Sequence, residues 1–175
     1  MRAFSRRPLA FARLHARTPR MKTALTLTAL AALTLAGCAA LDRRADSRAA
    51  AWEAAHPPRG QILLHEGRAV HVFVTGRAQG PDVVLIHGAN GNLNDFTFDL
   101  AARLAPDFRV IAVDRPGLGH SDPIADDGDP RAQARHLHGA LQQIGLRRPV
   151  VVGHSYGGAV ALGWALEHDD TAALV

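Results

Sequence analysis

The chain has 175 residues, 47% hydrophobic and 21% charged, with 16 Gly, 10 Pro and one Cys. That length holds one domain with a sizeable core, and the composition excludes a coiled coil, a collagen-like repeat and wholesale disorder. The single cysteine, Cys38, excludes a disulfide framework and a multi-cysteine metal site, and the net charge of +4 does not mark a nucleic-acid binder: residues 1–37 hold seven of the twenty Lys+Arg and none of the sixteen Asp+Glu, so the remainder is net acidic.

From Met21 the sequence reads MKTALTLTALAALTLAGC. Lys22 is a short positive start, Thr23 to Leu35 is an apolar run relieved only by threonine, and Leu35-Ala36-Gly37-Cys38 follows. The run is too short for a bilayer span, which takes about 20 residues, and suits a cleaved secretory signal. The stretch resembles a bacterial lipoprotein signal with its lipobox. The resemblance implies that residues 1–37 are a signal region removed before Cys38, and that Cys38 takes a diacylglyceryl group. It implies a bacterial cell envelope protein whose membrane partner is reached through that anchor. Each buried acyl methylene contributes about 0.8 kcal/mol to such an anchor. Ala39, in place of Asp, implies the outer membrane, facing the periplasm. The alternative is an ordinary signal peptide followed by an ordinary cysteine. Residues 1–20 form a long basic preamble. Ser5-Arg6-Arg7 fits the opening of a twin-arginine signal, but the apolar run starts late for one. Met21-Lys22 is a complete start by itself, so translation is expected to begin at Met21.

Residues 38–58 read as a tether, in part helical, stopped by Pro57-Pro58. From residue 59 the texture changes to short apolar runs alternating with amphipathic segments. Ile62–Leu64 and Val70–Val74 predict two strands joined as a hairpin through Glu66-Gly67. Val83–Ile86, Val110–Val113 and Val150–Val152 are continuous apolar runs, as expected of strands buried on both faces of a parallel sheet. Asn94–Leu104 predicts one helix with Phe96, Leu100 and Leu104 on a buried stripe. A second helix has Asp129 as N-cap, Pro130 in its first turn and Gly145 as its stop, with Ala134, Leu137, Leu141 and Ile144 on one face. The fold class is α/β: a mostly parallel sheet with helices on both faces.

The third parallel run leads directly into Gly153-His154-Ser155-Tyr156-Gly157-Gly158. This is G-x-S-x-G between a strand and a helix, the context of a nucleophile elbow. Side chains at Gly153 and Gly157 would collide across so sharp a turn. The turn lifts the Ser155 hydroxyl towards a crevice and sets it near the positive end of the following helix. The backbone N–H of Tyr156 can then donate to an oxyanion. His87-Gly88-Ala89-Asn90-Gly91 ends the first parallel run, and the N–H of Ala89 is the candidate second donor. Asp114-Arg115-Pro116-Gly117-Leu118-Gly119-His120-Ser121 follows the second run and reads as a structural turn.

H-G-A-N-G, D-R-P-G-L-G-H-S and G-H-S-Y-G-G, in this order, resemble the α/β-hydrolase superfamily over residues 59–175. The nearest branch is its cofactor-free esterase, C–C hydrolase and haloperoxidase-like members. The resemblance implies a serine hydrolase with Ser155 as nucleophile, acting on an ester or similar small acyl substrate, with no cofactor and no metal. Serine at 155, where some relatives have Asp, argues against epoxide hydrolase and haloalkane dehalogenase chemistry. A neutral serine needs a base. The family order is Ser, then acid, then His. Of the imidazoles here, His168 should lie roughly 20 Å down the helix axis from Ser155. His154 points away, His120 is a weak candidate base at a loop, and His136 and His138 are expected to face solvent. Thr171–Val175 reads as the opening of a further core strand, cut short. The sequence is therefore expected to be an amino-terminal fragment lacking the triad acid and histidine, inactive alone. The alternative is a non-catalytic lipid-anchored envelope protein that uses the scaffold for binding.

Overall fold

The computed structural model describes residues 20–55 and 57–175. Residues 1–19 of the preamble, with Ser5-Arg6-Arg7, lie outside the described residues. The chain divides into two compact units, Met1–His56 and Pro57–Val175. In the first, helix α1 spans Arg20–Ala55 and runs unbroken through the exposed Cys38. It ends ahead of Pro57-Pro58, which lack the N–H that a helix needs. The segment expected as a tether is thus helical as far as Ala55. Among the described residues no helix is long and apolar enough to cross a membrane.

The second unit is built on a six-stranded sheet. Its strands are β1 (Gln61–His65), β2 (Arg68–Gly76), β3 (Asp82–Ile86), β4 (Arg109–Val113), β5 (Val150–Gly153) and β6 (Ala173–Leu174), in the order β1-β2-β4-β3-β5-β6. β4, β3, β5 and β6 are parallel, and β2 runs antiparallel to both β1 and β4. The β1–β2 hairpin turns at Glu66 (φ 51°) and Gly67 (φ 73°). Two successive positive φ values match the right-handed twist of the flanking strands. β6 forms where residues 171–175 predict a strand, and the Gly153 N–H donates to the Val175 carbonyl at 2.9 Å.

All five residues of β3 are buried, because the sheet is covered on both sides. Val84 and Ile86 join Val72, Ile111, Val113, Leu137, Leu141 and Trp164 in one core. Val83 and Leu85 point the other way, to Leu93, Phe96, Ala101, Val110 and Ala112. The period-two alternation of a strand divides one apolar run between the two cores. Helices α4 (Pro130–Gln142) and α5 (Tyr156–Glu167) supply the first core.

The second core is covered by two short helices, not one. The single helix expected over Asn94–Leu104 breaks into α2 (Asn94–Thr97) and α3 (Leu100–Leu104). Asp99 leaves helical geometry at φ −146°, and its carboxylate accepts from the side-chain Nε of Arg103 at 2.6 Å. Phe98 is thereby left exposed, while Phe96, Leu100 and Leu104 still meet the core. Helix α4 has the expected ends: the Asp129 carboxylate accepts from the Arg131 N–H at 3.0 Å. At the other end Gly145 (φ 67°) donates to Gln142 and Leu146 donates to Leu141, the bond pair that closes a helix through a left-handed residue.

Candidate active site

Ser155 stands between β5 and α5 with φ 54° and ψ −119°. A non-glycine residue at positive φ outside the left-handed helical well is strained, and the surroundings must hold it there. Glycines make the turn possible. A Cβ on Gly153 would press into the backbone of Gly157 and come 2.6 Å from the Gly158 Cα. One on Gly157 would strike the carbonyl oxygens of Ile86 and His87. The turn is tied to β3 by the His154 N–H donating to the Ile86 carbonyl at 3.0 Å, and closed by Gly157 N–H to His154 O at 2.8 Å. The side chain of Ser155 is exposed.

The loop after β3 passes beside it. A Cβ on Gly88 would lie 3.2 Å from the Ser155 Cβ, a tight contact that glycine avoids. Ala89 and Tyr156 line the same cleft of about 250 Å³, together with Arg115, Gln133 and Asp127. Ser155 adjoins this cleft through its chain neighbour Tyr156 and does not line it. The hydroxyl expected to face a crevice thus stands exposed beside this cleft and not within it. Neither the Ala89 amide nor the Tyr156 amide has an acceptor among the described residues, whereas those of Gly157 and Gly158 are bonded to His154 and Ser155. The unpaired Tyr156 amide at the N-terminus of α5, and the unpaired Ala89 amide in the loop after β3, can each offer fixed positive partial charge to an oxygen that becomes negative.

Arg115 braces these two loops. Its Nε donates to the His87 carbonyl at 2.9 Å and its terminal nitrogens donate to Gly88 O at 2.8 Å and Gln133 Oε1 at 3.1 Å. The guanidinium also lies over the Tyr156 ring, whose hydroxyl donates to the Gly128 carbonyl at 2.8 Å. His87 is fully buried below it. Its Nδ1 faces the Gly88 carbonyl and its Nε2 accepts from the Arg115 N–H, both at 2.9 Å, so the proton sits on Nδ1. Burial, aided by the Arg115 cation, holds the His87 pKa below the ordinary histidine value. Asp114 anchors the next layer: Oδ1 accepts from the Leu93 N–H at 2.7 Å, and Oδ2 from His71 Nδ1 at 2.7 Å and the His120 N–H at 2.9 Å. Burial alone raises this carboxyl, but the bonds from His71, His120 and Leu93 together hold its pKa below the usual carboxylate value. The D-R-P-G segment ties these loops together through Asp114 and Arg115, and its Arg115, Pro116 and Gly117 also line the cleft. The bonds of Arg115 to the His87 and Gly88 carbonyls were not legible, because the signal is one arginine within turn chemistry.

The histidines fall elsewhere. His120 packs edge-on to His71, 5.1 Å between ring centres. His168 ends α5 and stacks on His138 at 3.6 Å, and His138 Nε2 bonds Asp170 at 3.0 Å. His136 is buried, at 6% exposure. The expectation that His136 and His138 face solvent is therefore corrected. One side of α4 packs on β1 and the other on α5, so these positions meet neighbours. No imidazole among the described residues bonds the Ser155 hydroxyl.

The family model described as alpha/beta hydrolase fold matches residues 81–174. A pimeloyl-[acyl-carrier protein] methyl ester esterase of Vibrio atlanticus is 41% identical over 97 residues, covering 53% of this chain and 33% of that protein. A 2-hydroxy-6-oxo-6-phenylhexa-2,4-dienoate hydrolase of Burkholderia cepacia is 30% identical over 103 residues, covering 57% and 36%. Among solved structures, Epoxide Hydrolase A from Mycobacterium thermoresistibile superposes with a TM-score of 0.59 at 26% identity, covering 65% of this chain and 37% of that one. The chain thus spans about a third of the length of the curated relatives it matches. The matched family model, the strand order and the helices on both faces agree, and the chain belongs to the alpha/beta-hydrolase fold family.

Proposed function

We propose that the protein is a serine hydrolase acting on an ester or similar small acyl substrate. The observation that carries this reading is Ser155 held at φ 54° at a strand-to-helix turn. Ser155 Oγ attacks the acyl carbon, and the amides of Ala89 and Tyr156 receive the oxygen that turns negative. Gly153 and Gly157 permit the turn. No cofactor or metal enters this step. The relatives named as a methyl ester esterase and a 2-hydroxy-6-oxo-6-phenylhexa-2,4-dienoate hydrolase support this chemistry. A hydroxyl at position 155 needs a proton acceptor, and none of the imidazoles among the described residues is assigned that task. Residues 39–175 alone are accordingly expected to hydrolyse p-nitrophenyl acetate no faster than their Ser155→Ala variant. The test of the nucleophile is a fluorophosphonate probe applied to the protein taken from its native cells. Label on Ser155 supports the enzyme. An intact, folded and unlabelled protein supports instead a scaffold kept for binding.

We propose further that Cys38 is lipidated after removal of residues 1–37, placing the protein in the bacterial outer membrane facing the periplasm. The supporting feature is Leu35-Ala36-Gly37-Cys38 behind an apolar run. Mass spectrometry of the mature amino terminus tests it: an acylated Cys38 is expected, and an unmodified residue there rejects the anchor.

A further inference from the structure

The hairpin turn between β1 and β2 meets helix α4 at three potential ligands: His65, Glu66 and His136. Each presents one nitrogen or carboxylate oxygen, and these atoms all lie within 4.8 Å of one another. The site is built from both sides. Gly139 stands one turn beyond His136 on the same face of α4, and a Cβ there would come 2.5 Å from His65 Cε1. The glycine is what admits the His65 ring, whose centre lies 5.1 Å from that of His136. Glu66 occupies a positive-φ turn position that favours Asn, Asp or Gly. The residue found there puts a carboxylate beside two imidazoles. His136 is 6% exposed and its Nε2 is buried without a hydrogen-bond partner. A buried, unpaired polar nitrogen calls for a physical explanation.

We propose that His65, Glu66 and His136 form a binding site for a divalent transition-metal ion of the Zn²⁺ class. Two imidazoles and one carboxylate are a recognised zinc donor set, leaving a fourth position open. That position gives onto a cavity of about 440 Å³ lined also by Asp126, Arg68 and Arg135. Asp126 and Glu66 offset the two arginines, and Arg135 is drawn off by Glu167 at 3.3 Å. Tetrahedral donors about 2.0–2.1 Å from zinc stand roughly 3.3–3.4 Å apart, so side-chain rotations of about 1 Å close the set. The bound ion ties the β1–β2 turn to α4. It stands apart from the turn at Ser155, and the sequence hides it because its two histidines come from elements far apart in the chain.

The test is calorimetric titration of the full 175-residue chain with Zn²⁺ alone, with Co²⁺ absorption reporting the donor geometry. Saturable binding is expected, weakened at least about tenfold by Glu66→Gln and by His65→Gln, and unchanged by His168→Gln. Glu66 is an exposed turn residue, so Glu66→Gln keeps the fold, and its far-ultraviolet circular dichroism checks this. Absence of saturable binding overturns the proposal. So does wild-type affinity in both Glu66→Gln and His65→Gln, or a loss seen in His168→Gln instead, which moves the ion to the His138–His168–Asp170 cluster.

Discussion

The guanidinium of Arg115 lies 4.6 Å from the centre of the Tyr156 ring while donating to the carbonyls of His87 and Gly88. One side chain thereby joins the loop carrying Ala89 to the first residue of α5. A planar fork satisfies this set, and an ammonium does not. Arg115→Lys is expected to destabilise the fold by about 2–3 kcal/mol, since buried carbonyls lose their donors. Urea denaturation measures it. If Ser155 is the nucleophile, fluorophosphonate labelling should slow in the same variant. Wild-type stability in Arg115→Lys contradicts the brace.

Ser155 is strained where glycine would not be. Ser155→Gly is expected to be more stable than Ser155→Ala by about 1 kcal/mol, because only glycine adopts φ 54° with ψ −119° at little cost. Equal denaturation midpoints for the two variants would falsify the strain.

Asp82, at the base of β3, is 1% exposed. It accepts from Arg109 Nε at 2.8 Å, from the Arg147 N–H at 2.6 Å and from the Arg147 guanidinium at 3.2 Å. Burial raises its carboxyl, and the two arginines outweigh that and hold its pKa below the ordinary value. Removing the anion strands the half-buried Arg109 cation. Asp82→Ala should cost about 3–5 kcal/mol, read as a lowered urea midpoint, while exposed Asp99→Ala should cost well under about 1 kcal/mol.

Stability should fall with acidification in two stages. His87 and His168 are held below the ordinary histidine pKa by burial. Unfolding lets them take up protons that the folded rings refuse, so stability is full above about pH 6.5 and declines as pH falls through that range. Asp82 and Asp114 have lowered carboxyls, so their contribution persists to lower pH and is lost as they are protonated, below about pH 4. Urea unfolding across a pH series should show a decline near neutrality that His87→Gln or His168→Gln reduces. Stability that rises between about pH 7.5 and 5.5 would contradict the assignment.

Much of this was legible in local sequence. Val83–Ile86, Val110–Val113 and Val150–Val152 announce a doubly covered parallel sheet through continuous apolar runs, and Gly145 announces the end of α4. Gly153 and Gly157 announce the turn around Ser155 because the backbone there approaches too closely for any side chain. These features depend on neighbours in sequence, where spacing and residue type suffice. The break at Asp99 was not legible: the apolar stripe continues across it, and only a side-chain pairing with Arg103 accompanies the change of backbone.

The sequence by itself determined the fold family, the strand pattern and the sharp turn at Ser155, since hydrophobic period and glycine sterics act over a few residues. Only the tertiary structure decided the partners of the charged and aromatic groups. Arg115 meets Tyr156, Asp82 holds Arg109 and Arg147, and His65 reaches His136 because strand order and helix packing bring distant segments into contact. No spacing along the chain encodes those distances, because such contacts depend on which faces of which elements are turned together.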